Sequence, residues 1–434
     1  MRVSPRYPFL WPGPCAWSFR LLTALLLVLP VHPAQTATFT VNSAHDVNDL
    51  TPGNGLCVAY LIVNAPFVLP FCTLRAAVEE ANSLPGTDLI VLPPGVYSLT
   101  LPGSGEDAGA TGDLDITDSL VLVGAGLDQT FIDGNGIDRI FDISDPDITV
   151  TVSRLTITNG FIAAPAEEGG GAIRNQGTLI LNNVSVSGNV VEGGGSGGHG
   201  GGILNGGVCT IQNSTISANS AGSGGGIFNA GGSILNVSAS TLHANSAGRG
   251  GGMFNEGAGL VRNATISGNR TSPGYPSQGG GLHNAGRLDL VQSTIARNTS
   301  SMGGGMHNGG TLNMINTLLA DNAGSNCSLS APVNSLGFNL DGDGTCGLGG
   351  EGDLERVDAQ LEELRFSGGP TRTHALQAGS PAVDGGKNLF DQGIATDQRG
   401  VARPQGEAFD IGSFEMVQFS LVPFLVPLLL EQAD

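Results

Sequence analysis

A single lysine, Lys387, and two tryptophans, both within the first seventeen residues, are all that this 434-residue chain carries of those types. Charged residues make up 13% and aromatics 5%, and 18 Lys or Arg face 38 Asp or Glu, for a net charge of −20. Such a surface repels nucleic acid and anionic membrane. Neither a CxxC pair nor an HExxH motif occurs, which excludes the usual zinc-site spacings. The leucine-dense consensus of leucine-rich repeats is also missing. Beyond the N-terminal segment no apolar run reaches the 17 to 25 residues of a spanning helix, so no integral membrane span is expected.

The two ends of the chain are set apart by composition. Arg2, Arg6 and Arg20 precede the apolar run Leu21–Leu29, Pro30 and small residues at Ala34 and Ala37, so residues 1–37 read as a secretory signal. At the other end, residues 416–434 form an apolar tail whose run from Phe419 to Leu430 is broken by Pro423 and Pro427. Of the cysteines outside the signal, Cys57 with Cys72 and Cys327 with Cys346 flank short loops and read as local disulfides of an oxidising compartment. Cys209 is left over and reads as a buried free thiol.

Between these ends one phrase recurs six times: GAIRN (171–175), GGILN (201–205), GGIFN (225–229), GGMFN (251–255), GGLHN (280–284) and GGMHN (304–308). The terminal asparagines, Asn175, Asn205, Asn229, Asn255, Asn284 and Asn308, are spaced by 24 to 30 positions, which is the period of a solenoid. A second phrase, STISAN (214–219), STLHAN (240–245), ATISGN (264–269) and STIARN (293–298), keeps a fixed phase with the first. Alternation of β-branched and small polar residues over four or five positions predicts short strands, not helices. The expected fold is all-β: a single right-handed parallel β-helix of about ten coils over residues 86–345. Glycine and asparagine suit its left-handed bends, and stacked asparagine amides can give and accept hydrogen bonds along the axis. Ile173, Ile203, Ile227, Met253, Leu282 and Met306 are the expected inward stack.

Residues 38–85 form a different unit, an N-terminal cap. CTLRAAVEEAN (72–82) places Leu74, Ala77, Val78 and Ala81 on one helical face, stopped at Pro85-Gly86, and TDLIVLPPGVYSL (87–99) reads as the strand that follows. Residues 346–415 form a closing region: EGDLERVDAQLEELR (351–365) has helical spacing through Leu354, Val357, Leu361 and Leu364, and a turn-rich stretch follows. There Arg399 and Arg403, near Asp397 and Asp410, read as structural ion pairs.

Residues 71–100 resemble the CSLREA-type domain of exported bacterial proteins, with the GDLDIT (112–117) and FIDGNG (131–136) phrases that accompany it. Thr73 and Ala76 depart from that pattern, which has Ser and Glu there. The GGxxN rungs are similar to those of polymorphic outer-membrane proteins and other pectin-lyase-like β-helices. GGPTRTHAL (368–376), GSPAVDGG (379–386), TDQRGVARP (396–404) and DIGSFE (410–415) resemble the choice-of-anchor Q domain. The resemblance implies an exported or cell-surface location and this architecture.

The chemistry legible in the sequence is sparse. Glycan cleavage needs a base beside carboxylates or two convergent carboxylates, yet Glu192, Glu256, Asp289 and Asp321 fall at different phases of the repeat. No catalytic residue is assigned. Asp113 with Asp115, and Asp341 with Asp343, have the alternating spacing that presents carboxylates on one side. Asp341 and Asp343, in a DGDGT fragment, are the candidate metal ligands, with calcium as the one cofactor considered. His283 and His307 share a phase one residue before the ladder asparagine, as do Phe228 and Phe254. The N-x-S/T sequons at Asn183, Asn213, Asn236, Asn263, Asn298 and Asn326 reflect the repeat alphabet. The expected function is that of a secreted or cell-surface protein that adheres to glycan or a surface protein without catalysis. The alternative is a polysaccharide lyase or glycoside hydrolase, and a monomer is expected.

Overall fold

The computed structural model describes residues 36–59, 71–163, 169–193, 197–272 and 277–418. Residues 1–35 of the segment assigned as a signal, and the apolar run Phe419–Leu430, fall outside them. The chain from residue 36 winds into a parallel β-solenoid. One sheet holds nine strands in a single unbroken order, from Leu114–Ile116 to Cys327–Leu329, one strand per coil. The coil count is thus nearer nine than ten along this sheet. A second sheet of twenty strands wraps two sides of the coil, and a third, of five, runs from Phe161–Ile162 to Arg270–Thr271.

The twenty strands form one sheet because Thr149–Thr158 and Thr178–Ser187 run round a bend without a break. That bend lies at a left-handed residue: Arg154, Asn183, Asn213, Ala239, Asn263, Gln292 and Asn316 have φ between 47° and 59°. Three sequon asparagines are therefore bend residues. The ladder asparagines are not among the left-handed residues, contrary to the expectation that they occupy such bends. Glycine holds the tightest corner: Gly224 and Gly250 have φ of 64° and 60°, and a Cβ on either would lie 2.4 Å from the carbonyl oxygen of Ile227 or Met253. This is why each apolar-x-Asn strand is preceded by a glycine run.

Inside the coil Ile173, Ile203, Ile227, Met253, Leu282 and Met306 stack in register, each with 0% exposure. The asparagine two residues on points the same way. Asn175 Nδ2 donates to Asn205 Oδ1 at 2.7 Å, and the chain continues through Asn229, Asn255, Asn284 and Asn308 at 2.8–2.9 Å. A second amide ladder runs through Asn189, Asn219, Asn245, Asn269, Asn298, Asn322 and Asn326. Within each ladder the amides thereby satisfy one another, Asn175 Oδ1 at the start of the first excepted, which avoids about 1 to 3 kcal/mol for each group that would otherwise be orphaned.

At the N-terminal end the helix Leu74–Ser83 starts on Thr73, whose hydroxyl accepts from Ala76 N–H at 3.1 Å. Arg75, 1% exposed, reaches from this helix to Asp46 and to the carbonyls of Gly109, Gly112 and Asp113, tying the cap to the loop of the first coil. The expected strand over 87–99 is two, Asp88–Val91 and Gly95–Ser98, because Pro93 and Pro94 make a coil corner. At the other end the helical spacing over 351–365 gives no helix. Leu354–Glu355 adds to the last coil, and Leu361–Phe366 pairs antiparallel with Arg372–Leu376. The chain beyond then lies along one side of the solenoid: Gln398 bonds Thr241 and Thr265, Ser413 bonds Thr294, and His374 Nε2 lies 2.8 Å from Ser267 Oγ.

Candidate functional site

Alternation along each three-residue strand of the nine-stranded sheet turns the middle residue away from the core. These middle residues align in register as one row: Asp115, Asp142, Arg174, Leu204, Phe228, Phe254, His283, His307 and Ser328. The two aromatic residues and the two histidines noted separately in the sequence belong to the same row. Ring centroids are 5.1 Å apart for Phe228 and Phe254, 4.4 Å for Phe254 and His283, and 4.7 Å for His283 and His307. Beside the row a second column, His199, Ser223, Arg249, Gln278 and Met302, is also in parallel register. His199 extends the stack, 4.3 Å from Phe228, and the Arg249 guanidinium lies 5.0 Å above Phe254.

The row begins in charge. Arg174 Nη2 lies 2.7 Å from Asp142 Oδ2 and its Nε donates to Asp142 Oδ1 at 2.9 Å, while Arg139 Nε is 3.1 Å from Asp113 Oδ2. Asp115 Oδ2 accepts from Gly109 N–H at 2.7 Å. Burial, reinforced by Asp138 and Asp115, pushes Asp113 up to about 8, and burial raises Asp115 to about 6 despite its backbone hydrogen bond. Oxygens of Asp113, Asp115 and Asp142 lie within 4.8 Å of one another, a spacing suited to a hard cation such as calcium. Both oxygens of Asp142, however, already accept from Arg174.

At the ring end the shifts run the other way. Burial, with His307 and Arg249 adding to it, drives His283 down to about 3, and burial also lowers His307 and His199. These imidazoles sit neutral at neutral pH.

The other sequence candidates lie elsewhere. Asp341 Oδ1 accepts from Asn326 Nδ2 at 2.7 Å and its Oδ2 from Cys346 N–H at 2.8 Å, so this carboxylate ends the second amide ladder. Asp343 accepts from Asn326 N–H and Thr345 N–H, which spends both side chains on the turn that carries Cys346. Cys327 and Cys346 are joined, as are Cys57 and Cys72. Cys209 is free and fully buried, its thiol pushed up to about 12 by burial alone. In the closing region Arg399 pairs with Asp397 at 2.7 Å, but Arg403 pairs with Glu415 at 2.7 Å rather than with Asp410. Asp410 uses its oxygens on the N–H groups of Asp384 and Met416.

Two residues of the site escaped the sequence reading. Asp142 lies outside the regular rungs, where the acidic residues were not weighed by phase, and Arg174 was not placed opposite it. Counting one residue back from each ladder asparagine, and continuing the register to the earlier coils, leads to both.

No protein-family model matches the chain, and no curated protein matches it. Among solved structures, the crystal structure of pectate lyase Pel9A is similar with a TM-score of 0.40 and 17% identity, over 88% of this chain and 97% of that one. A likeness at that score carries no argument about activity.

Proposed function

We propose that this protein is exported and binds glycan or other surface material through the outer row and flanking column of the nine-stranded sheet, without catalysis. The observation that supports this reading is the continuity of the strip. Five rings stack at 4.3–5.1 Å over successive coils, and half-buried His199, Arg249 and Gln278 stand beside them as polar edges. A linear ligand laid along the axis would meet the flanking column coil after coil, over a floor of rings that are themselves 2–6% exposed. Two disulfides favour an oxidising compartment, in keeping with the signal-like N-terminus and the resemblance to exported bacterial proteins. No helix among the described residues is long and apolar enough to cross a membrane.

A second reading, a glycan-cleaving enzyme, is supported by Asp113, whose carboxyl burial raises to about 8, and whose oxygen lies within 4.8 Å of those of Asp115 and Asp142, since a raised carboxyl beside further carboxylates is a setting for a general acid. A glycan array, run beside assays for new reducing ends and for unsaturated products, separates the two. Retention of glycans with no product supports binding alone, product formation selects the enzyme, and silence in every assay removes both.

A further inference from the structure

We propose that His199, Ser223, Arg249 and Gln278 form a site for the anionic group, a carboxylate or a sulfate ester, of a glycan. The inference rests on the glycan-binding reading and assigns it a substrate class and a place on the strip. Its first support is Arg249. In a chain of net charge −20, Arg249 is among the described arginines that no ion pair engages, with Arg154, Arg262, Arg270 and Arg372, and of these five it alone stands in the column beside the rings. Arg249 is half-buried, and its guanidinium carbon lies 5.0 Å from the centroid of the Phe254 ring, so it is neighboured by a ring rather than paired with a carboxylate.

The second support is independent of charge. Ser223 Oγ and the Nδ1 atoms of His199 and His283 are buried without a hydrogen-bond partner, Ser223 at 0% exposure and His283 at 6%. Buried polar atoms in native proteins are nearly always paired, so three such atoms on one strip point to a group that completes them. Ser223 pairs in register with Arg249, and Arg249 with Gln278, so hydroxyl, guanidinium and amide follow one another on successive coils. All three donate to oxygen, and the guanidinium fork matches the two oxygens of a carboxylate or sulfate. The acidic side chain that acts on His199 is Glu256, from the coil that carries Arg249, and Arg249 opposes it there.

The test uses the full processed protein and three polymers: polygalacturonate, a sulfated galactan and a neutral galactan. The expected result is binding to at least one anionic polymer, weakened by salt. Arg249→Gln should weaken it by about tenfold, the loss of one charge-assisted hydrogen-bonded contact. Whichever anionic polymer binds identifies the group. Ser223→Ala keeps Arg249 on Phe254 and should weaken the same binding, which guards against an Arg249→Gln variant that loses its fold by circular dichroism. Equal binding of neutral and anionic galactans, unmoved by either substitution, overturns the anion site and leaves the glycan reading standing. Failure of all three polymers to bind overturns this site, while binding of other glycans on the array would still support the broader reading.

Discussion

At the start of the outer row Asp142 is buried against the guanidinium groups of Arg174 and Arg139, whereas Phe228, Phe254, His283 and His307, farther along it, are buried by stacking. The backbone register is the same in both stretches. A solenoid therefore sets where a side chain stands but not how its burial is made favourable. Ionic burial depends on both partners and fails when one is removed. Ring burial depends on area and shape, and fails in proportion to the volume lost.

The largest effect is expected at the ring end. Phe254 is 2% exposed, stacks on Phe228 and His283, and supports Arg249. Phe254→Ala should cost about 3 to 5 kcal/mol, read as a drop in the denaturant midpoint. A loss below about 1 kcal/mol would mean that the stack contributes little. At the charged end Arg174→Ala leaves the Asp142 carboxylate buried with only Arg139, 3.6 Å away, and should cost about 3 kcal/mol. The double variant Arg174→Met with Asp142→Leu should recover most of that. If the double loses as much as the two singles together, the charges are independent and the contrast between the ends collapses.

The ends should also answer pH in opposite senses. Asp113 keeps its proton in the folded chain up to about 8, against an ordinary value of 3.8. Its contribution to stability is complete below about pH 4 and is lost as pH rises toward 8. His283, lowered from 6.5 to about 3, contributes above about pH 6.5 and loses that contribution as pH falls toward 3. Asp113→Asn should flatten the alkaline limb of a melting-temperature profile, and His283→Phe the acid limb. A variant that flattens the opposite limb, or neither, would refute the assignment.

The contrast was only half legible in the sequence. The asparagine period fixed each coil because backbone corners and buried amides tolerate few residue types. The outer row tolerates many, so Phe228 with Phe254 and His283 with His307 read as two unrelated pairs when they were one column. Asp142 and Arg174 meet across 32 residues, a pairing visible only once Phe141–Ile143 is placed in register with Ile173–Asn175. The misread segment over 351–365 fails for another reason. Its leucine spacing suits a helix, but pairing with the last coil and with Arg372–Leu376 overrides so short a pattern. The contacts of Gln398, Ser413 and His374 with the solenoid side span more than a hundred residues and follow no period.

The smallest effect is expected where the two chemistries meet. Leu204 stands between Arg174 and Phe228 in the row and is half-buried, so substitution there neither opens a core cavity nor strands a charge. Leu204→Phe should set a further ring beside His199 against Phe228 and offer the Arg174 guanidinium a face, for a gain of about 0.5 to 1.5 kcal/mol. The gain should shrink in the Phe228→Leu background, because an added ring without a stacking neighbour supplies area alone. An equal gain in both backgrounds would show that the rings act as separate apolar groups, and that the row is a sequence of local burials rather than a stack.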